Sequence, residues 1–184
     1  EIYTLSLHDA LPILASKNDN TENYSTFNLN GQKILDYAKM HPEINWVFKP
    51  HPSLKFTLIR TGIMSEKEVD DYYKQWEEIG ESCYTSDYAK LFLESKALIT
   101  DCGSFLTEYF CTGKPLIHLI SPTCKLKPME PSKKFFDTFY KIKNFDEMYN
   151  VFDKILLSKE DEKEPARIAM LCKSNKNYNE VLLK

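Results

Sequence analysis

Short apolar segments alternate with stretches of helical periodicity along most of this sequence, and this pattern constrains its fold more than any other feature. The apolar segments at residues 46–48, 97–100 and 116–120 are typical of buried strands, and helical patterns lie between them. Helices are predicted at residues 53–61, at residues 65–78 with Ser65 and Glu68 as a capping box, and around Lys133, and a short strand is predicted at residues 83–84. Such alternation is typical of α/β domains with a parallel sheet. A length of 184 residues favours one domain. We therefore predict an α/β domain with a Rossmann-like parallel sheet flanked by helices.

The N-terminal residues do not share this pattern. The string EIYTLSLHDALPI has no clean period and is followed by a polar stretch. It resembles the translated read-through of a sequencing adapter, so we expect residues 1–14 to be a non-native or disordered segment outside the fold. A frayed natural N-terminus is the alternative. Residues 15–184 then form the domain.

Charge, cysteines and missing motifs argue against several classes of function. The 24 basic and 27 acidic residues give a net charge of -3, which offers no general attraction for nucleic acid or an anionic membrane. The five cysteines include no CxxC pair, which argues against a zinc site or a disulfide framework and fits reduced thiols in a cytosolic protein. No GxSxG, Walker-type or HExxH motif occurs, which disfavours hydrolase, ATPase and metal-dependent functions. We expect no metal and no cofactor.

Hydrophobic runs are short throughout the sequence. None approaches the roughly 20 residues that a membrane-spanning helix needs. We expect a cytoplasmic location, with any membrane association at the inner face arising only through regions absent from this sequence.

The segment ALITDCGSFLTEY at residues 97–109 carries the strongest signal for a site. A predicted strand ends at Thr100, residues 101–104 form a turn, and a helix follows. A helix N-terminus has free amides and a partial positive charge, so the backbone and the Ser104 hydroxyl could hold a pyrophosphate, with Gly103 permitting close backbone approach. The alternative is an ordinary helix start at which Ser104 bonds its own backbone.

A histidine follows another predicted strand. His51 lies between two prolines, which restrict the backbone and hold the imidazole at the carboxyl end of that strand. This position suits a proton shuttle or a phosphate contact, and Lys49 would add positive charge to the same rim. The alternatives are a loop histidine bonded to a neighbouring carbonyl and a solvated lysine.

Three further polar residues have both a functional and a structural interpretation. Glu108 lies one helical turn after Ser104 and could accept hydrogen bonds from ribose or polyol hydroxyls, or it could pair with Lys114. Asp101 is interpreted mainly as a turn residue, because aspartate commonly bonds its own backbone at such turns, and a contact with ligand is the second interpretation. His118 lies within an apolar strand and is expected to be a satisfied core histidine.

Two segments together resemble the CDP-glycerol glycerophosphotransferase family, whose members build teichoic-acid and capsule-type polymers. They are WVFKPHPSL at residues 46–54 and SDYAKLFLESKALITDCGSFLTEYFCTGKPLIHL at residues 86–119. Their order and spacing are similar as well, and the resemblance covers most of the chain, including STFNLNGQKIL at residues 25–35.

The resemblance implies an architecture and a set of site residues. The chain would be the C-terminal, nucleotide-binding half of a GT-B enzyme, whose N-terminal acceptor domain is missing here. His51 matches a histidine considered essential, so it is the expected catalytic residue. The turn matches the family's TDxSS, with Gly103 in place of the first serine, and Glu108 matches the acidic position of the following helix. Lys49, and Phe105 in the first turn of that helix, complete the set. The expected substrate-binding residues are Lys49, Thr100, Asp101, Gly103, Ser104, Phe105 and Glu108.

The resemblance also implies a reaction. An acceptor hydroxyl of a polyol-phosphate or glycan polymer would attack the β-phosphorus of CDP-glycerol, and CMP would leave. The isolated chain is expected to be inactive, because a GT-B cleft needs both domains to orient donor and acceptor. Two alternatives stay open: a GT-B transferase that uses CDP-ribitol or a nucleotide sugar, and an inactive nucleotide-binding or scaffold module.

Overall fold

The structure is a computed structural model, and it describes residues 2–6, 25–84, 88–124, 129–130 and 132–182. Within these ranges six parallel strands form one sheet. Their bounds are β1 Ile2–Ser6, β2 Asn45–Phe48, β3 Glu81–Ser82, β4 Ser95–Thr100, β5 Leu116–Leu119 and β6 Tyr140–Ile142. The spatial order is β3-β2-β1-β4-β5-β6. This is the strand order of the Rossmann fold, so the predicted Rossmann-like sheet is confirmed.

Helices connect the strands and cover both faces of the sheet. Their bounds are α1 Phe27–Met40, α2 Leu54–Arg60, α3 Glu66–Ile79, α4 Ala89–Glu94, α5 Gly103–Phe110, α6 Ser132–Asp137, α7 Met148–Phe152 and α8 Glu164–Leu182. A wider π-helical turn, Asp153–Leu157, continues α7. The helices that the sequence pattern predicted from Ser53, from Ser65 and around Lys133 are confirmed within a few residues.

The first strand changes the expectation for the N-terminus. Residues 2–6 form β1, which pairs with β2 on one side and β4 on the other, with Tyr3 aligned to both Trp46 and Ala97. The prediction that residues 1–14 lie outside the fold is therefore corrected for 2–6, while residue 1 and residues 7–14 lie outside the described residues. A strand in the middle of a sheet is defined by its two neighbours, and a local pattern of five residues does not carry that information.

One face of the sheet holds the larger hydrophobic core. Alternate residues of β2, β4 and β5 point to this face, and α1, α2, α3 and α7 cover it. Aromatic rings dominate the packing: Phe48 stacks on Trp76 with ring centroids 5.1 Å apart, and Trp46 meets the same indole edge-on. The Ser65–Glu68 capping box that the sequence predicted is present at the start of α3 and fixes where that helix begins.

The opposite face has a smaller core under α4, α5, α6 and α8. Its members are Phe92, Leu98, Leu106, Tyr109, Phe110, Leu116 and Phe139. Arg167 of α8 is fully buried and ties this layer together, because its guanidinium donates to the Gly113 and Thr138 carbonyl oxygens and pairs with Asp161. These contacts fix the last helix against the sheet edge.

Candidate functional site

The predicted site residues lie at the carboxyl end of the sheet, where its parallel strands end. Thr100 is the last residue of β4, and Lys49 follows directly after β2. The strand order reverses between β1 and β4, because the chain adds strands on one side of β1 up to β3 and then continues on the other side with β4. Ligands of open α/β sheets bind at such a reversal, beyond the carboxyl ends of the strands. The turn from β4 into α5 stands at this point.

The turn after β4 begins α5 without a side-chain cap. The Thr100 hydroxyl oxygen accepts a hydrogen bond from the Cys102 amide at 3.0 Å, which turns the chain away from the sheet. The first bond of the helix runs from the Leu106 amide to the Cys102 carbonyl oxygen at 3.2 Å. Cys102 occupies the N-cap position, and its side chain makes no hydrogen bond to the amides of the first helical turn. The Ser104 hydroxyl lies 3.1 Å from the Cys102 sulfur. The alternative in which Ser104 caps its own helix is therefore wrong.

The N-terminus of α5 is open. Gly103 and Ser104 are exposed, and no hydrogen-bond acceptor among the described residues serves the amides of residues 103–105. Three amides that point out of a helix start attract an anion. A Cβ built on Gly103 meets no atom within 4 Å, so the protein does not require glycine there and has room for the serine of the TDxSS pattern.

Asp101 joins this turn to the start of α1. Its Oδ2 accepts a hydrogen bond from the Thr26 amide at 2.8 Å and from the Thr26 hydroxyl at 3.0 Å. Asn30 then donates to the Thr26 hydroxyl oxygen at 2.8 Å, and all three residues are buried. The sequence predicted a turn residue that bonds its own backbone. In the structure the bond across the turn comes from Thr100, and the Asp101 carboxylate connects two elements.

Lys49 reaches from the end of β2 toward the first turn of α5. Its ammonium nitrogen lies 5.0 Å from the ring centroid of Tyr88 and 5.9 Å from that of Phe105. Only 6% of the lysine is exposed. Cation–π attraction offsets part of the lost hydration. The interpretation of Lys49 as a solvated rim residue is therefore wrong, and its positive charge lies beside the open helix start.

Glu108 is held by a tyrosine and not by the lysine that the sequence suggested. The Tyr88 hydroxyl donates to Glu108 Oε2 at 2.8 Å. Lys114 instead donates to the Phe92, Leu93 and Ser95 carbonyl oxygens around the end of α4. The alternative of a Glu108–Lys114 salt bridge is wrong. The Glu108 carboxylate remains exposed on the same helix as Ser104.

His51 lies in the turn between β2 and α2. Its Nδ1 is 2.8 Å from the Ser53 hydroxyl oxygen and accepts a hydrogen bond from the Ser53 amide at 3.2 Å. A backbone amide can only donate, so Nδ1 is an acceptor here and the neutral ring carries its proton on Nε2. Nδ1 is therefore bonded to a neighbouring amide and hydroxyl and not to a carbonyl.

His118 is half-buried on β5 and belongs to neither hydrophobic core, so the prediction of a satisfied core histidine is wrong. It stacks on Phe136 with centroids 6.1 Å apart, and its buried Nδ1 has no hydrogen-bond partner among the described residues. Burial, together with the nearby Lys141, lowers the pKa of His118 to about 4. The neutral ring is therefore the stable form at neutral pH.

Two residues of this site were missed by the sequence analysis. Tyr88 contacts Lys49, Phe105 and Glu108, and Thr26 binds Asp101. Both lie in segments that resemble the family, yet nothing in their local sequence marks them. Their partners are between 17 and 75 residues away along the chain, so only the fold brings them together.

Comparisons with known proteins bear on the fold alone. No protein-family model matches the chain, and no curated protein matches it. Its structure is similar to that of a UDP-GlcNAc 2-epimerase from Neisseria meningitidis bound to UDP-GlcNAc, with a TM-score of 0.55 and 14% sequence identity. The match covers 91% of this chain and 38% of the epimerase chain. It supports the Rossmann-like fold and is consistent with one half of a GT-B architecture.

Each helix among the described residues is too short or too polar to span a membrane. The same residues contain no group of three or more histidine, cysteine or acidic side chains arranged to hold a metal ion.

Proposed function

We propose that this chain is the nucleotide-donor-binding domain of a GT-B transferase that carries glycerol phosphate from CDP-glycerol to an acceptor hydroxyl of a teichoic-acid or capsule-type polymer. The observation that carries this proposal is the open start of α5 at the strand-order reversal, with the buried Lys49 ammonium beside it. Amides and ammonium together suit the diphosphate of an activated donor. The choice of CDP-glycerol rests on the resemblance of the two sequence segments.

The donor's diphosphate would lie across the ends of the central strands. The ends of β2 and β4 flank β1, so they are roughly 10 Å apart, at about 4.8 Å per strand. Amides of residues 103–105 and the Ser104 hydroxyl would bind one phosphate, and Lys49 would neutralise charge between the two sides. Glu108, one turn along α5, would accept hydrogen bonds from hydroxyls of the ribose.

His51 would serve as a hydrogen-bond donor. Because Nδ1 accepts from Ser53, the proton of the neutral ring is on Nε2, and that N–H can stabilise a phosphate oxygen as negative charge develops. In the reaction the acceptor oxygen forms a bond to the β-phosphorus and the bond from that phosphorus to the bridging oxygen breaks. The acceptor proton would pass to a base on the other domain, and the electron pair would leave with CMP.

A nucleotide sugar is the second candidate donor. The observation in its favour is the similarity to an epimerase structure that holds UDP-GlcNAc. The same helix start would bind the diphosphate of either donor, so the two candidates differ in what the base and the transferred group contact.

Calorimetric titration tests both candidates on the intact chain. Wild type is titrated with CDP-glycerol, CDP, CMP and UDP-GlcNAc. We expect preference for the cytidine diphosphates, with affinity weakened roughly five- to fiftyfold by Ser104→Ala and by His51→Ala, since each removes a hydrogen bond to a charged group. Ser158→Ala, an exposed serine that follows the π-helical turn, is the matched control and should bind like wild type.

The outcomes separate the candidates. Tighter binding of UDP-GlcNAc than of CDP-glycerol would favour the nucleotide sugar. Cytidine-nucleotide binding that both site variants leave unchanged would place the ligand elsewhere and refute the assignment of this site.

A further inference from the structure

Tyr88 contacts groups from two separate parts of the proposed donor site. Its ring faces the Lys49 ammonium at 5.0 Å, and its hydroxyl donates to Glu108 Oε2 at 2.8 Å. Lys49 follows β2, whereas Glu108 belongs to α5. One side chain therefore links the cation on one side of the strand-order reversal to the carboxylate on the other.

The packing around Tyr88 keeps this side chain in place. Its ring lies 4.7 Å from that of Phe105 and 5.0 Å from that of Phe92, and Phe92 in turn meets Phe105 edge-on at 5.2 Å. Phe92 belongs to the smaller hydrophobic core, under α4 and α5, and is 4% exposed. A tyrosine ring packed on core aromatics has little rotamer freedom, so the positions of its hydroxyl and its face are both fixed.

We propose that Tyr88 is a positioning residue of the donor site, which holds the Lys49 ammonium for the phosphates and the Glu108 carboxylate for the hydroxyls of the ribose. This inference rests on the proposed function, because it assumes that the site binds a nucleoside diphosphate. The ring and the hydroxyl act on different partners, so the two parts of the role can be removed separately.

The hydrogen bond to Glu108 also acts on the tyrosine. It is the largest cause of a raised pKa of the Tyr88 hydroxyl, followed by partial burial. At neutral pH the phenol is therefore protonated and remains the donor of this bond. The Glu108 carboxylate, as the acceptor, keeps one oxygen directed at Tyr88.

Two substitutions separate the ring from the hydroxyl. Tyr88→Phe keeps the aromatic face for Lys49 and removes the bond to Glu108, whereas Tyr88→Leu removes both. The probes are CDP, which has a ribose and a diphosphate, and inorganic pyrophosphate, which has only the phosphates. Tyr84→Phe is the matched control, because it also removes a tyrosine-to-glutamate hydrogen bond, from the Tyr84 hydroxyl to Glu77 at 3.1 Å. Tyr84 follows the edge strand β3, away from the proposed site.

We expect a different pattern for each variant in calorimetric titrations of the full chain. Tyr88→Phe should lower the affinity for CDP roughly three- to tenfold, since the hydrogen bond to Glu108, the proposed ribose-binding group, is lost. The affinity for pyrophosphate should change by less than about twofold. Tyr88→Leu should lower the affinity for both ligands roughly three- to thirtyfold, because the Lys49 ammonium loses the nearer of its two aromatic partners. Tyr84→Phe should match wild type for both.

A double-variant cycle adds a readout that general destabilisation would not reproduce. With Glu108→Gln already present, Tyr88→Phe should cost CDP affinity less than about twofold, because the interaction that it removes is already weakened. NMR of ring-labelled tyrosine should show that Glu108→Gln lowers the pKa of Tyr88, and this measurement needs no ligand.

The outcomes distinguish this inference from the proposed function. If wild type binds CDP and Tyr88→Phe either has no effect or weakens pyrophosphate equally, the positioning role is refuted while the proposed function stands. If UDP-GlcNAc binds in place of cytidine nucleotides and follows the same pattern of variants, the proposed donor is wrong and the role of Tyr88 stands. If neither nucleotide nor pyrophosphate binds to wild type, both are refuted.

Discussion

At the scale of single residues, Asp101 shows how one carboxylate supports a site without any need to touch a ligand. It receives two hydrogen bonds from Thr26, and Thr26 is fully buried. Buried donors without an acceptor are costly, so the carboxylate both holds the start of α1 and fixes the turn that leads into α5. A contact with substrate remains a prediction for this residue.

Removal of the Asp101 carboxylate should therefore reduce stability. Asp101→Ala leaves the Thr26 amide and hydroxyl buried without their acceptor, and we expect a loss of about 2–4 kcal/mol in the free energy of unfolding, measured with urea. Asp101→Asn keeps one acceptor oxygen and should lose less. Thr26→Ser, which keeps both donors, is the control. A loss below about 0.5 kcal/mol for Asp101→Ala would show that the bonds to Thr26 are not important for folding.

Protonation of His118 should make the stability of the protein depend on pH. The pKa of this histidine is lowered from the ordinary value of 6.5 to about 4 in the folded protein. Between these values the unfolded chain binds more protons, so the free energy of unfolding should fall as the pH drops from about 6.5 to about 4 and should be unaffected above that window. At about 1.4 kcal/mol per pKa unit, the contribution is at most about 3.5 kcal/mol.

His118→Phe isolates this contribution because it removes the titrating group and keeps an aromatic ring against Phe136. The measurement is the difference in the free energy of unfolding between wild type and variant from pH 7 to pH 4. Wild type should lose stability relative to the variant across that range. A difference that does not change with pH would contradict the lowered pKa of His118.

At the scale of elements, the sequence predicted what depends on local interactions and missed what depends on pairing. The start of α3 was found because Ser65 and Glu68 satisfy each other's backbone within four residues. The sequence pattern predicts the edge strand at residues 83–84, whereas β3 is Glu81–Ser82, since its position depends on pairing with Val47 and Phe48. The central strand β1 was missed for the same reason.

The candidate site divides in the same way. The turn from Thr100 to Phe105 is continuous in sequence, so its helix start could be predicted. The contact of Lys49 with Tyr88 and the bonds of Asp101 to Thr26 join distant segments, and no local pattern indicates them. The sequence therefore predicted most of the residues of the site and few of their partners.

The junction between α3 and the sheet leaves no room for a side chain at Gly80. Gly80 ends α3, and a Cβ built there would lie 2.3 Å from the Trp46 carbonyl oxygen, which belongs to the backbone of β2. Gly80→Ala must therefore displace the helix end or the strand, and we expect a loss of about 1–3 kcal/mol in the free energy of unfolding.

Gly103→Ala is the matched control for this junction, because a Cβ at Gly103 meets no atom within 4 Å. Its stability should equal or slightly exceed that of wild type, since alanine restricts the unfolded chain more than glycine does. Equal stabilities for the two variants in chemical denaturation would contradict the close approach of Gly80 to β2.

At the scale of the whole molecule, the strand order decides where a site can form. Three segments that are far apart in sequence, around Lys49, Tyr88 and Ser104, meet at the edge where the parallel strands end. Helices cover both faces of the sheet, so this edge is where the polar groups of several elements can converge. The likeness to a solved epimerase supports this fold and does not identify a reaction.

The proposed function rests on the claim that the start of α5 binds the phosphates of a nucleotide. The most direct test is an NMR titration of the ¹⁵N-labelled chain with CDP, which follows each backbone amide. We predict that the largest shifts occur at the amides of Gly103, Ser104 and Phe105, which have no acceptor among the described residues. Saturable binding with its largest shifts away from the carboxyl ends of β2 and β4, or no binding at all, would contradict the claim.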